Sequence, residues 1–179
     1  MGCSGCGGSY AGGAFPRQGA QGIPGPPGPE GPEGPEGPVG PEGPSVTSTS
    51  GFAANTSNAN INTDILGTDL TLPDSQSLPL TITVDGTNTF FTVQEDGRYR
   101  LSYHINPEAA SIINSRIVVN GVELPQTVIS PTVASTKFSA EAIVSLLAGD
   151  VISLQLFGVA TLIILDSGVG ASLTIMRVE

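Results

Sequence analysis

Few residues here have a type and spacing that could do chemistry, and the first are Cys3 and Cys6, in Cys3-Ser4-Gly5-Cys6. Two thiols at that spacing suit a redox dithiol or half of a zinc site. The redox reading needs a strand–helix setting that the flanking Gly-rich residues do not supply, and structural zinc needs four ligands. Two readings stay open: disulfides to another chain or to a cysteine-containing partner, or a leader whose thiols are idle. His104 is the single histidine. With no second imidazole and no reactive Cys or Ser motif beside it, it reads as a strand-face residue rather than a catalytic base. Asn55-Thr56-Ser57 fits the acceptor pattern for N-linked sugar and is read as coincidental. Acidic residues at turns could bind calcium, but nothing fixes a ligand set. No nucleophile elbow or phosphate loop occurs, so the sequence predicts no enzyme, no cofactor and no defined metal site.

The elements that would position these residues fall into four regions. Residues 1–18 form a Gly-rich leader carrying both cysteines, and 19–45 are nine uninterrupted Gly-X-Y triplets. Residues 46–60 are a polar stretch that reads as a linker or a first edge strand, and 61–179 form a head. The triplet glycines are Gly19, Gly22, Gly25, Gly28, Gly31, Gly34, Gly37, Gly40 and Gly43. Three polyproline-II chains wind together only if every third residue is glycine, because no side chain fits at the shared axis. Pro fills the X position in every triplet from Gly25 onward, which presets φ and lowers the cost of ordering. At about 3.1 Å per residue such a stalk would be on the order of 80 Å long. Its four glutamates, Glu30, Glu33, Glu36 and Glu42, have no cation among them. They repel one another threefold in a trimer, so trimerisation is expected to come from the head.

The head reads as all-β. Residues 98–105 alternate strictly, with Tyr99, Leu101, Tyr103 and Ile105 on one face and Arg98, Arg100, Ser102 and His104 on the other. Asn120-Gly121 between Ile117-Val118-Val119 and Val122-Glu123-Leu124 is a type I′ hairpin signature. Further runs at 78–84, 89–93, 137–147, 151–157, 161–165 and 171–178 are separated by turn residues at 85–86, 96–97, 149–150 and 168–170. About eight to ten strands with this punctuation predict a sandwich or jelly roll. Runs such as 161–165, apolar on both faces, predict burial between subunits.

Charge narrows the partners. The net charge of −10 speaks against nucleic acid or an anionic membrane, which need a cationic face. The longest late apolar run, 159–165, falls far short of the roughly 20 residues of a spanning helix. Residues 1–15 have neither a cationic start nor an apolar core, so no N-terminal secretory signal is expected. Myristoylation would need Ser or Thr where Cys6 stands.

A triplet stalk followed by such a head resembles the C1q/TNF-like architecture, whose central strand is similar to residues 97–104. Residues 91–93, 97–99, 119–125 and 171–178 also resemble, in order and spacing, the head of the collagen-like glycoprotein family of the Bacillus exosporium. The resemblance covers residue 19 to the end. It implies a homotrimeric C1q/TNF-like jelly-roll head at the tip of filaments on a spore surface, with a structural or adhesive role. Two departures stand out: the family's Pro-rich anchoring leader is absent, and Glu stands at Y where the family carries glycosylated Thr. The expected partners are therefore further copies of the chain and, through Cys3 and Cys6, a cysteine-containing spore-layer or fibre protein. The alternatives are the receptor-binding tip of a phage tail fibre and a soluble C1q-like ligand, either of which would be preceded by a docking domain or a signal peptide.

Overall fold

The computed structural model describes residues 7, 12–13, 17–37 and 49–179. The chain divides into two units, Met1–Pro41 and Glu42–Glu179. In the first, residues 17–37 are exposed throughout and form no helix or strand. At Gly19, Gly22, Gly25, Gly28, Gly31, Gly34 and Gly37, an added Cβ would meet nothing within 4 Å. Gly40, Gly43, Cys3, Cys6 and the expected boundary at 45–46 lie outside the described residues.

The second unit is a β-sandwich with thirteen strands among the described residues. One sheet has five strands, in the order β10 (Phe138–Leu146), β7 (Gly97–Ile105), β13 (Ala171–Arg177), β1 (Ser50–Asn55) and β4 (Asp74–Ser77). The other has six. Its path runs β5 (Ile82–Val84), β6 (Phe91–Val93), β11 (Val151–Phe157), β8 (Asn114–Val119) and β9 (Val122–Glu123), with β3 (Thr68–Asp69) also paired to β11. A separate two-stranded ribbon joins β2 (Asn60–Asn62) to β12 (Leu162–Ile164).

The core lies where the alternation of β7 places it. Tyr99, Leu101, Tyr103 and Ile105 are all 0% exposed. They pack with Leu173 and Ile175 of β13 and Phe138 of β10, against Ile117 of β8 and Ile152, Leu154 and Leu156 of β11. At about 25 cal/mol per Å² of apolar area, this contact between two sheets is the main stabilising term. One polar tie crosses it. The Tyr103 hydroxyl donates to the Thr127 carbonyl at 2.9 Å and shares a 2.8 Å hydrogen bond with Ser115 Oγ. Thr127 Oγ1 in turn accepts from the Ile117 N–H at 2.9 Å. Burial pushes the Tyr103 phenol up to about 12, against a smaller opposing effect of Ser115.

Turn chemistry follows the residues. Asn120 (φ 51°) and Gly121 (φ 78°) adopt the two positive φ values of a type I′ turn. Gly97 serves a different end: it opens β7, and a Cβ there would lie 2.5 Å from the Glu179 carbonyl oxygen. The four strands outside the expected apolar runs, β1 to β4, arise mostly from residues of low β propensity. Asp74–Ser77 is composed like a turn, yet pairs with β1 across an irregularity at Ser75, whose φ is 48°. One sequence expectation is corrected. Residues 50–55 form an inner strand between β13 and β4, not an edge, because Asp74–Ser77 covers their outer side. Residues 161–165 join neither main sheet but contribute the three-residue β12, with Ile163 buried and Leu162 and Ile164 exposed.

Candidate assembly face

The outer face of the five-stranded sheet is set by the same registers that build the core. Each core-facing residue leaves its neighbours pointing away, so three rows of four run across β1, β13, β7 and β10. They are Ser50–Met176–Arg100–Ile143, Phe52–Thr174–Ser102–Glu141 and Ala54–Ser172–His104–Ser139. Arg98 and Ser145 extend the face by one more register. Half of these side chains are Ser, Thr or Ala, among them the neighbours Ala54 and Ser172, and Thr174 and Ser102. The larger apolar members are Phe52 of β1 and Met176 of the central β13, both half-buried, and Ile143 of β10, 52% exposed.

Its charges are largely matched in place. Arg100 donates to Glu141 at 2.5 Å, and Arg98 to Glu179 at 2.9 Å. The hydrogen bond and the charge of Glu141 hold the Arg100 guanidinium above its ordinary value. These pairs are exposed, so each contributes little to stability by itself. His104 is exposed in the third row, flanked by Ser172 and Ser139. No hydrogen bond links either hydroxyl to the imidazole among the described residues, so no nucleophile–base pair is assembled. Nor do three His, Cys, Asp or Glu side chains converge on a metal position among the described residues.

The outer face of the six-stranded sheet is built differently. Arg116 of β8 donates to Gln155 Oε1 at 3.0 Å, to Glu123 at 2.8 Å and to the Leu66 carbonyl at 2.8 Å. Its guanidinium also lies 4.3 Å from the centre of the Phe157 ring, a favourable cation–π contact. Gln155 Nε2 completes the chain by donating to Asp69. This face is therefore consumed by its own side chains, whereas the five-stranded face stays open. Sequence reasoning passed over Arg116, although an arginine among apolar residues in a strand signals a side chain that must find several acceptors.

The remaining sequence candidates are placed as follows. Asn55 is 1% exposed and donates Nδ2 to the Thr71 carbonyl at 2.9 Å, which removes it as a sugar acceptor. Gly19, Gly22, Gly25, Gly28, Gly31, Gly34 and Gly37 are exposed.

A family model described as the BclA C-terminal domain matches residues 51–179. The chain belongs to that family. The match runs from the second residue of β1 to the C-terminal residue, so the BclA C-terminal domain takes in both main sheets and the open face. No curated protein matches the chain. Among solved structures, murine APRIL is similar at 13% identity and a TM-score of 0.54, covering 72% of this chain and 99% of that one. Eiger TNF from S. frugiperda is similar at 14% identity and a TM-score of 0.53, covering 73% and 92%. At these identities the likeness is one of fold: the head is an all-β, TNF/C1q-like jelly roll.

Proposed function

We propose that this chain is a structural, homotrimeric filament protein of the bacterial spore surface, in the exosporium or at an appendage tip. Its head projects outward and mediates adhesion, and its triplet region winds into a three-chain stalk. The observation that carries this reading is a BclA C-terminal domain at residues 51–179 preceded by nine Gly-X-Y triplets. The stalk glycines support it from the other side. Among the described residues an added Cβ on Gly19 to Gly37 would meet nothing within 4 Å, whereas three packed chains would need glycine there. The open five-stranded face supports assembly through the head. Its apolar residues form different patches, Ile143 on β10 and Phe52 with Met176 on β1 and β13. Contact between different patches closes into a ring when repeated by rotation.

At the base, Cys3 and Cys6 form disulfides with a neighbouring chain or a cysteine-containing spore-layer or fibre protein. The rest of the leader offers little apolar area for non-covalent attachment, while three chains bring six thiols to one point. Neither a nucleic acid nor a membrane is proposed as a partner.

Immunogold labelling of spores of the source organism tests the placement, with label expected on the outermost layer. A chain carrying Cys3→Ser and Cys6→Ser should extract without reductant, while the wild type should need it. Label confined to the cell interior would refute the surface role. A double variant retained as firmly as wild type in both treatments would refute the anchoring.

A further inference from the structure

We propose that Asn120-Gly121 is a deamidation site which the folded head holds shut, so that conversion of Asn120 marks chains whose head has opened. The pair sits at the tip of the β8–β9 hairpin, exposed to water. Asparagine before glycine is open to this reaction because glycine has no Cβ to shield its amide nitrogen. The Gly121 nitrogen gives up its proton and attacks Asn120 Cγ, and ammonia leaves as a succinimide ring closes. Water then adds to one of the two ring carbonyls, leaving aspartate or isoaspartate at 120. Only water is consumed, so the reaction needs no enzyme and no cofactor.

The head opposes ring closure twice. Closure needs the Gly121 nitrogen eclipsed with Asn120 Cβ about the Cα–C bond. A type I′ turn instead gives its first central residue a ψ of about +30°, which for an L residue places the two nearly anti. Asn120 and Gly121 have the φ values of that turn, 51° and 78°. The carboxamide is also clamped to a different turn. Asn120 Nδ2 donates to Asp150 Oδ1 at 2.8 Å, and Asn120 Oδ1 accepts from the Val151 N–H at 2.9 Å. The Asn120 N–H donates to the Val151 carbonyl at 2.8 Å. Asp150 is itself held, since its Oδ2 accepts from the Leu147 N–H at 2.8 Å. Both side-chain torsions of Asn120 are thereby fixed, and Cγ cannot swing towards the glycine nitrogen. The clamp does not close again on the product. Aspartate at 120 would set a second carboxylate against Asp150, and like charges repel. Isoaspartate would add a methylene carbon to the main chain of a two-residue turn.

The test is peptide mass mapping of the full chain after incubation in mildly alkaline buffer, either folded or in concentrated urea. Trypsin then releases residues 117–137, in which Asn120 is the one asparagine. Its conversion is read as the mass gain of amide to acid and as separate aspartate and isoaspartate peptides. The folded chain should convert at least about tenfold more slowly than the unfolded one, because reaction is confined to the open fraction. Asp150→Ala removes a hydrogen bond to a charged acceptor and should raise the folded rate about tenfold. In urea its rate should equal that of wild type. Equal rates in folded and unfolded wild type would overturn the proposal, and this comparison decides it even where D150A does not fold. A folded D150A that converts no faster than its global unfolding, measured in denaturant, accounts for would overturn the clamp.

Discussion

The stalk and the head both depend on glycine, but for opposite reasons. In the head, the demand comes from the chain's own atoms. A Cβ on Gly97 would collide with the Glu179 carbonyl oxygen at 2.5 Å and with Arg177 Nε at 2.6 Å. One on Gly67, at φ 132°, would press on Gln155 Oε1 at 2.8 Å. In residues 19–37 a Cβ meets nothing within 4 Å, yet glycine recurs there at every third position. A strict requirement with no cause inside the molecule points to a cause outside it. Head glycines report a fold that one chain completes, whereas the triplet glycines, on the proposed function, serve a packing that one chain cannot make. The same division holds for polar groups, since Tyr103, Ser115 and Thr127 satisfy one another within the head.

This contrast can be broken most forcefully in the core. Tyr103→Ala should cost the head about 3–5 kcal/mol, as large aromatic truncations do. Tyr103→Phe should cost about 1–3 kcal/mol, because Ser115 and the Thr127 carbonyl are left without the phenol. Denaturant unfolding of the full chain, followed by a head-specific signal, measures both. A Tyr103→Phe change within experimental error of wild type would mean that the cross-sheet tie contributes nothing.

Glycine substitutions sharpen the contrast at a smaller scale. Gly97→Ala should destabilise the head by about 1–3 kcal/mol, since backbone and Arg177 must both shift. Gly31→Ala should leave the head's unfolding midpoint unchanged and lower only the melting of the triple-helical circular dichroism signal of the full chain. If Gly31→Ala moves the head and spares that signal, the assignment of the two glycine classes is reversed.

Acid should separate the two regions by sign, with the smallest effect of the three. In the β5–β6 turn, burial would raise the Asp85 carboxyl, but the Phe90 N–H, the Thr87 hydroxyl and the Thr89 and Thr87 N–H groups donate to it and hold it at about 2. A carboxylate depressed on folding contributes stability that is complete above its unfolded value. That contribution is lost as pH falls from about 4 towards 2. Protonating the stalk glutamates removes like-charge repulsion instead, so the stalk should gain where the head loses. Thermal melts monitored separately for each region check this. An Asp85→Asn variant should flatten the head's acid response, and a variant that retains it in full would remove Asp85 as its source.

Much of this was legible in the residues. Strict alternation located β7 and its core face, because a strand with one face in an apolar core must repeat at two residues. Asn120-Gly121 located a hairpin, because few other pairs reach two successive positive φ values cheaply. The triplet period was legible for the same kind of reason: a local steric rule writes itself directly into spacing. Residues 50–55 and 74–77 were not legible as inner and edge strands, because Ser, Asp and Gln carry no strand preference of their own. The conformation of 50–55 is imposed by a partner more than a hundred residues away, as in Ser50 opposite Met176, and that of 74–77 by β1, as in Ala54 opposite Asp74.

Sequence alone thus determined the all-β class, the core face of the central strand, the stalk period and the acidic balance, since each follows from interactions between residues close along the chain. Only the tertiary structure decided which of the two sheets keeps an open face. Arg116 reaches Gln155, Glu123 and the Leu66 carbonyl across three separate segments and closes the six-stranded side. Cross-strand register sets the small side chains of β1, β13 and β7 side by side on the other. A register is a relation between distant segments, and no window of sequence contains both halves of it.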